Sequence, residues 1–162
     1  MDISLVLSNP VLNACFLSWI FAQGIKSLIN ILKHKSFDKK KLTSAGGMPS
    51  SHSAVVCALL FSSLYDYGFH SFQFAFSAVL SLIVMYDATG VRWAASLHAR
   101  AINNLVIYLN DGEEHKTIDI GSIIPKLDES LGHRVIEVIC GAGLGIAIAT
   151  VTRLITNGGV LF

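Results

Sequence analysis

The sequence predicts an all-α integral membrane bundle of about four transmembrane helices, forming a single domain over residues 1–162. Three observations predict it. Hydrophobic residues make up 52% of the chain and charged residues only 14%. Mean hydropathy is +0.59. The charges also avoid three long stretches: residues 10–32 hold only Lys26, residues 50–86 only Asp66, and residues 135–155 only Glu137 and Arg153. A spanning helix needs about 20 predominantly apolar residues, and these stretches supply that length. A water-soluble bundle built on the same runs would have too little polar sequence to cover them.

The first helix is expected over residues 10–32. Asp2 rather than basic residues precedes it and no small-residue cleavage site follows, so it is expected to stay in the mature chain. The middle stretch breaks at Tyr65-Asp66-Tyr67-Gly68-Phe69-His70. Its glycine, aspartate and aromatics suit a tight hairpin at a membrane interface. Two helices follow from that break, at residues 51–64 and 71–86. The last helix covers residues 135–155.

The third connection, residues 90–132, is long enough to hold short interfacial helices. Leu97, Ala101, Leu105 and Tyr108 recur at helical spacing, with His98, Arg100, Asn103 and Asn104 between them. A helix over residues 94–109 would lie on the membrane surface or extend the third span, ending at Asn110-Asp111-Gly112. A second short helix is expected over residues 122–131, stopping at Gly132.

Loop charge sets the orientation. The first loop contains Lys33, Lys35, Lys39, Lys40 and Lys41 against Asp38 alone, whereas the second connection has no Lys or Arg. The first and third loops are therefore expected in the cytoplasm, with both termini outside. A net charge of +1 offers no basic face for nucleic acid. Cys15, Cys57 and Cys140 each sit inside an apolar run, which argues against a disulfide scaffold. No Cys/His group has zinc spacing, so no metal is expected.

Polar residues in membrane helices are costly and point to function. Here they gather at one face. Gln23 and Lys26 lie three apart near the inner end of the first helix, and Asp87 and Arg92 close the third. His133 and Glu137 open the fourth, one turn apart, so the carboxylate can fix the tautomer of the imidazole and leave its other nitrogen as nucleophile or base. Gly46-Gly47-Met48-Pro49-Ser50-Ser51-His52 leads into the second helix. Glycines allow close backbone approach, and the amides of a helix start attract anions. Ser50, Ser51 and Gly47 are thus candidate phosphate ligands, beside a titratable His52. A plain serine N-cap is the simpler alternative for Ser50. Arg92 and Lys26 are further candidate phosphate ligands, and Asp87 and Gln23 candidate orienting groups. Gly141 and Gly145 form a small-xxx-small stripe suited to close helix packing.

These pieces, Ala22-Gln23 with Lys26, the Gly46–Ser53 segment, Tyr86-Asp87-Ala88 with Arg92, and Leu131-Gly132-His133 with Glu137, resemble the divergent branch of the type-2 phosphatidic acid phosphatase superfamily, also described as acid phosphatase/vanadium-dependent haloperoxidase-related. Pro49-Ser50-Ser51-His52 looks like that superfamily's Pro-Ser-Gly-His. His133 with Glu137 looks like its His-x-x-x-Asp. The resemblance implies that His133 is a nucleophile forming a phosphohistidine, Glu137 its orienter and His52 the acid, with Ser50 and nearby amides holding phosphate. It implies no cofactor. Two arginine elements of the superfamily have no counterpart: nothing before Gly46 matches its Lys and Arg-Pro element, and Lys126-Leu127 stand where Ser-Arg is expected.

The expected function is a membrane phosphatase that hydrolyses a phosphomonoester, a lipid or polyprenyl phosphate, at the cytoplasmic face. The alternative is a non-catalytic membrane protein that binds an anionic lipid or phosphorylated ligand in the same pocket. Four helices leave little room to enclose a lipid head group, so a homodimer is also considered, with Gly141 and Gly145 as one contact.

Overall fold

The computed structural model describes residues 9–34, 46–111 and 124–156. Most of the lysine-rich first loop, the acidic run at residues 113–119 and the two chain ends lie outside the described residues. Among the described residues the regular structure is five helices: α1 Pro10–His34, α2 Ser51–Tyr67, α3 Phe72–Thr89, α4 Val91–Asp111 and α5 Val135–Thr156. No strand occurs among the described residues.

Local chemistry accounts for the helix ends. Asn9 caps α1 by accepting from the Val11 and Leu12 amides at 3.0 and 3.1 Å, with Pro10 at the first helical position, where its missing N–H costs nothing. Ser50 caps α2 in an extended conformation, and Ser71 caps α3 through the Phe74 amide at 3.1 Å. Gly68 ends α2 with φ of +74°, a value a side chain disfavours. The expected hairpin is therefore present, with α2 three residues longer than residues 51–64.

The core is built from small residues. Buried positions include Ala14, Ala22, Ala54, Ala58, Ser18, Ser53, Ser77 and Ser81, whereas Phe16, Leu32, Phe72, Leu82 and Ile155 are exposed. That inverts a water-soluble core and matches helices that pack tightly together and turn their large side chains to lipid. The buried hydroxyls are satisfied within the bundle. Ser18 donates to Ala14 O at 2.7 Å, and Ser81 donates to Ser77 O and, across helices, to Val56 O.

Helix α2 is the centre, packed against α1, α3 and α5, while α1 also meets α5. Its 17 residues span about 25 Å at 1.5 Å per residue, so the longer helices surround a shorter one. Pro10–Leu32, Phe72–Leu109 and Val135–Thr156 are each long and apolar enough to cross a membrane. Gly141 and Gly145 explain the closeness of α2 and α5. A Cβ on Gly141 would lie 2.3 Å from Ser50 O, and one on Gly145 would lie 2.1 Å from Ala54 O. Both glycines therefore serve close packing of α5 on α2 inside the chain, as the small-xxx-small stripe suggested.

The third connection departs from expectation in two ways. The helix predicted over residues 94–109 is longer, running Val91–Asp111 one residue after α3. The described part of the predicted 122–131 helix, from residue 124 on, is not helical. Asn103 on α4 is the reason: its side chain accepts from the Leu127 amide at 3.0 Å and donates to Leu127 O at 2.9 Å. Its amide nitrogen also donates to Glu129 Oε1, and Ser96 Oγ donates to Glu129 O. These bonds take the backbone groups a helix would need, and hold residues 127–129 as a strap on α4.

Candidate active site

His133 is placed by its neighbours on both sides. Its backbone amide donates to Ala88 O at the end of α3, at 3.0 Å. The preceding Gly132 lies so close to α4 that a Cβ there would meet Trp93 Cα at 2.4 Å. The imidazole is 2% exposed. Its Nδ1 bonds Glu137 Oε2, in the first turn of α5, at 3.0 Å, and that oxygen also accepts from the Arg134 amide at 3.2 Å. An ionised carboxylate only accepts, so the proton belongs on Nδ1 and a lone pair is left on Nε2. That Nε2 is buried with no hydrogen-bond partner among the described residues. An unsatisfied buried nitrogen is costly and needs a reason.

The cleft around His133 supplies one. It has a volume of about 190 Å³ and is lined by His52, Asp87, Arg92 and His133, with Ile83, Val84, Ala88 and Leu131. Arg92 Nε bonds Asp87 Oδ2 at 2.5 Å in a half-exposed pair. His52 lies within electrostatic reach of Arg92, His133, Lys26 and Asp87. Two imidazoles, a carboxylate and a guanidinium thus converge from α2, α3, α4 and the segment that leads into α5.

A second cleft, about 480 Å³, opens on the other side of the His133–Glu137 pair. Lys26, Asn30, Gly46, Gly47, Met48, Ser130, Arg134 and Glu137 line it, with Ile29 and Ile136. Two loops meet here: a Cβ on Gly46 would lie 2.5 Å from Ser130 O, and Gly47 adopts φ of +98°. The Ser50 amide donates to Glu137 O at 2.9 Å, joining the start of α2 to α5.

The remaining predicted residues divide accordingly. Lys26 and Gly47 line the larger cleft, apart from Arg92. Ser51 is buried and its hydroxyl accepts from Lys26 Nζ at 3.5 Å. Ser50 is fully buried and accepts from both the Ser53 amide and hydroxyl, so it serves as the N-cap of α2 and lines neither cleft. Gln23 is half-buried on α1 and also lines neither, although its Oε1 is buried without a partner among the described residues. Sequence reasoning missed Arg134. Its place directly after His133, among residues that open a helix, was the available signal. No three His, Cys, Asp or Glu side chains gather as a metal site among the described residues.

Outside the helices, charge is settled locally. Asp128 is held below the usual carboxylate range by bonds from the Ser130 hydroxyl and amide. Glu129 is lowered chiefly by the Asn103 amide.

The comparisons with known proteins agree with this architecture. The chain is 40% identical over 150 residues to the uncharacterized membrane protein YuiD of Bacillus subtilis (strain 168), covering 90% of this chain and 95% of that protein. No solved structure matches it. The model of the Divergent PAP2 family matches residues 7–148, a span that takes in α1 to α4 and both clefts. The chain is an integral membrane protein of the Divergent PAP2 family.

Proposed function

We propose that this protein is a phosphatase that hydrolyses a phosphomonoester, a lipid or polyprenyl phosphate, through a phosphohistidine on His133. The observation that carries the reading is His133 itself: buried, tied at Nδ1 to Glu137, its Nε2 without a partner among the described residues, and lining a cleft with His52 and Arg92. In this mechanism the Nε2 lone pair forms a bond to phosphorus as the ester P–O bond breaks. The leaving oxygen takes a proton from His52. Water then attacks the phosphohistidine, His52 takes its proton, and inorganic phosphate leaves as the P–N bond breaks. Arg92 offsets the charge that gathers on the phosphoryl oxygens, and Asp87 holds the guanidinium in place. The lysine-rich first loop favours a cytoplasmic position for this end of the bundle, with both termini outside.

Phosphate release by the full chain in detergent, from a panel of lipid monophosphates and soluble phosphoesters, tests the proposal. His133→Ala is expected to lose at least about 10³-fold in turnover while keeping its helical content. Equal turnover in wild type and variant would refute the nucleophile.

A second reading, a non-catalytic binder of an anionic lipid or phosphorylated ligand, is favoured by one observation. Leu127, where the superfamily has an arginine, has its backbone bonded to Asn103, so this segment serves as a strap. Ligand binding that survives His133→Ala, with no phosphoester turned over by the wild type, would select it.

A further inference from the structure

The two clefts are linked through the His133–Glu137 hydrogen bond, His133 lining the smaller and Glu137 the larger. The smaller holds the groups that would react. The larger has more than twice its volume and contains two cations, Lys26 and Arg134, against one carboxylate, Glu137. One oxygen of that carboxylate accepts from His133 Nδ1 and from the Arg134 amide, and its charge also acts on Lys26. Lys26 is only 6% exposed and donates to Ser51 Oγ, so one carboxylate serves both cations of this cleft. The same cleft has an apolar side, built from Ile29, Met48 and Ile136, of which Met48 and Ile136 are exposed. A phosphate reacting at His133 would leave this second space empty.

We propose that the Lys26–Arg134 cleft is a second anion subsite, which binds a phosphate group other than the one His133 attacks. Lys26 and the Arg134 guanidinium take the phosphate oxygens, the arginine in bidentate fashion. Ile29, Met48 and Ile136 face the apolar part of whatever molecule bears it. The phosphate belongs either to the headgroup of an anionic phospholipid or to a soluble phosphate compound. The inference rests on the proposed function only in placing the reacting phosphate at His133.

The test uses the full chain in phosphatidylcholine nanodiscs, titrated with inorganic phosphate while the thermal unfolding midpoint is followed, since a ligand that binds the folded state raises it. Arg92→Gln, which weakens the smaller cleft, is expected to retain a phosphate-dependent rise. Adding Arg134→Gln should raise the phosphate concentration needed by about tenfold, the loss of one charged hydrogen-bonding partner. Adding Arg134→Lys instead should restore most of the response. Arg134 is exposed, so the substitution leaves the packed core untouched. Nanodiscs containing phosphatidylglycerol separate the sources: competition with inorganic phosphate identifies a lipid headgroup, and an unchanged titration identifies a soluble phosphate. The proposal is overturned if Arg134→Gln leaves the titration unchanged, or if Arg92→Gln alone abolishes it. An Arg134-dependent response in a protein that turns over no phosphoester would refute only the catalytic reading.

Discussion

The two ends of this bundle contain similar side chains and use them in opposite ways. At the Asp66 end, Arg153 pairs with Asp66 and the Tyr65 hydroxyl bonds Thr150 Oγ1 at 2.9 Å, joining α2 to α5. Ser71 both caps α3 and donates to Gly68 O. The space left there is about 10 Å³. At the His133 end an acid, a base and several hydroxyls are again brought together, yet His133 Nε2 and Gln23 Oε1 stay buried without partners among the described residues. Two clefts, of about 480 and 190 Å³, flank them. Polar groups that satisfy one another hold a fold together. Polar groups kept apart, at a cost in stability, are what a site requires.

The contrast can be broken from either end. The largest effect is the loss of turnover in His133→Ala. Next comes Gly141→Ala, which would place a Cβ 2.3 Å from Ser50 O. Backbone cannot yield as a flexible side chain does, so α2 and α5 must separate, at about 1–3 kcal/mol. Because Ser50 also bonds Glu137 O, turnover should fall along with the unfolding midpoint in detergent. Asp66→Asn should behave differently: it removes the Arg153 ion pair, lowers stability by about 1 kcal/mol, and leaves turnover unchanged. A drop in turnover comparable to that of Gly141→Ala would show that the two ends are not separable.

The smallest effect is a response of the strap to acid. Asp128 and Glu129 both titrate below the usual carboxylate range because Ser130 and Asn103 hydrogen-bond their ionised forms. A carboxylate whose folded pKa is depressed stabilises the fold above its unfolded pKa and loses that contribution as pH falls through the folded value. Amide exchange at Ser130 and Leu127 should therefore accelerate below about pH 4, before the amides of α2 respond. Uniform exchange across both regions would show that the strap is not a separate unit.

Much of this was readable in the chain. The apolar runs that became α1, α2, α3 and α5 were marked by the absence of charge, and Gly68 by its turn composition. The His133–Glu137 pair was expected from helical spacing. It forms although His133 lies two residues before α5, because the Glu137 carboxylate turns back to the helix start, where it also accepts from the Arg134 amide. The central place of α2 was less accessible, because its sequence is no more apolar than its neighbours; its small buried residues, Ser53, Ala54 and Ala58, were the clue. Residues 124–131 were misread as helix because the competing bonds come from Asn103 and Ser96, on another element. The division of one constellation into two clefts depends on how Gly46, Gly132 and Gly141 let backbones touch. Periodicity along one chain carries no such information.

The central claim is that His133 Nε2 is the attacking atom. Rapid mixing of the detergent-solubilised protein with a phosphoester it turns over, quenching in alkali to preserve a P–N bond, and peptide mapping test it directly. The account predicts a transient phosphoryl group on His133 Nε2, absent in His133→Ala and formed no more slowly than product. Steady turnover with no phosphorylated protein, or a label that persists in His133→Ala, would contradict it.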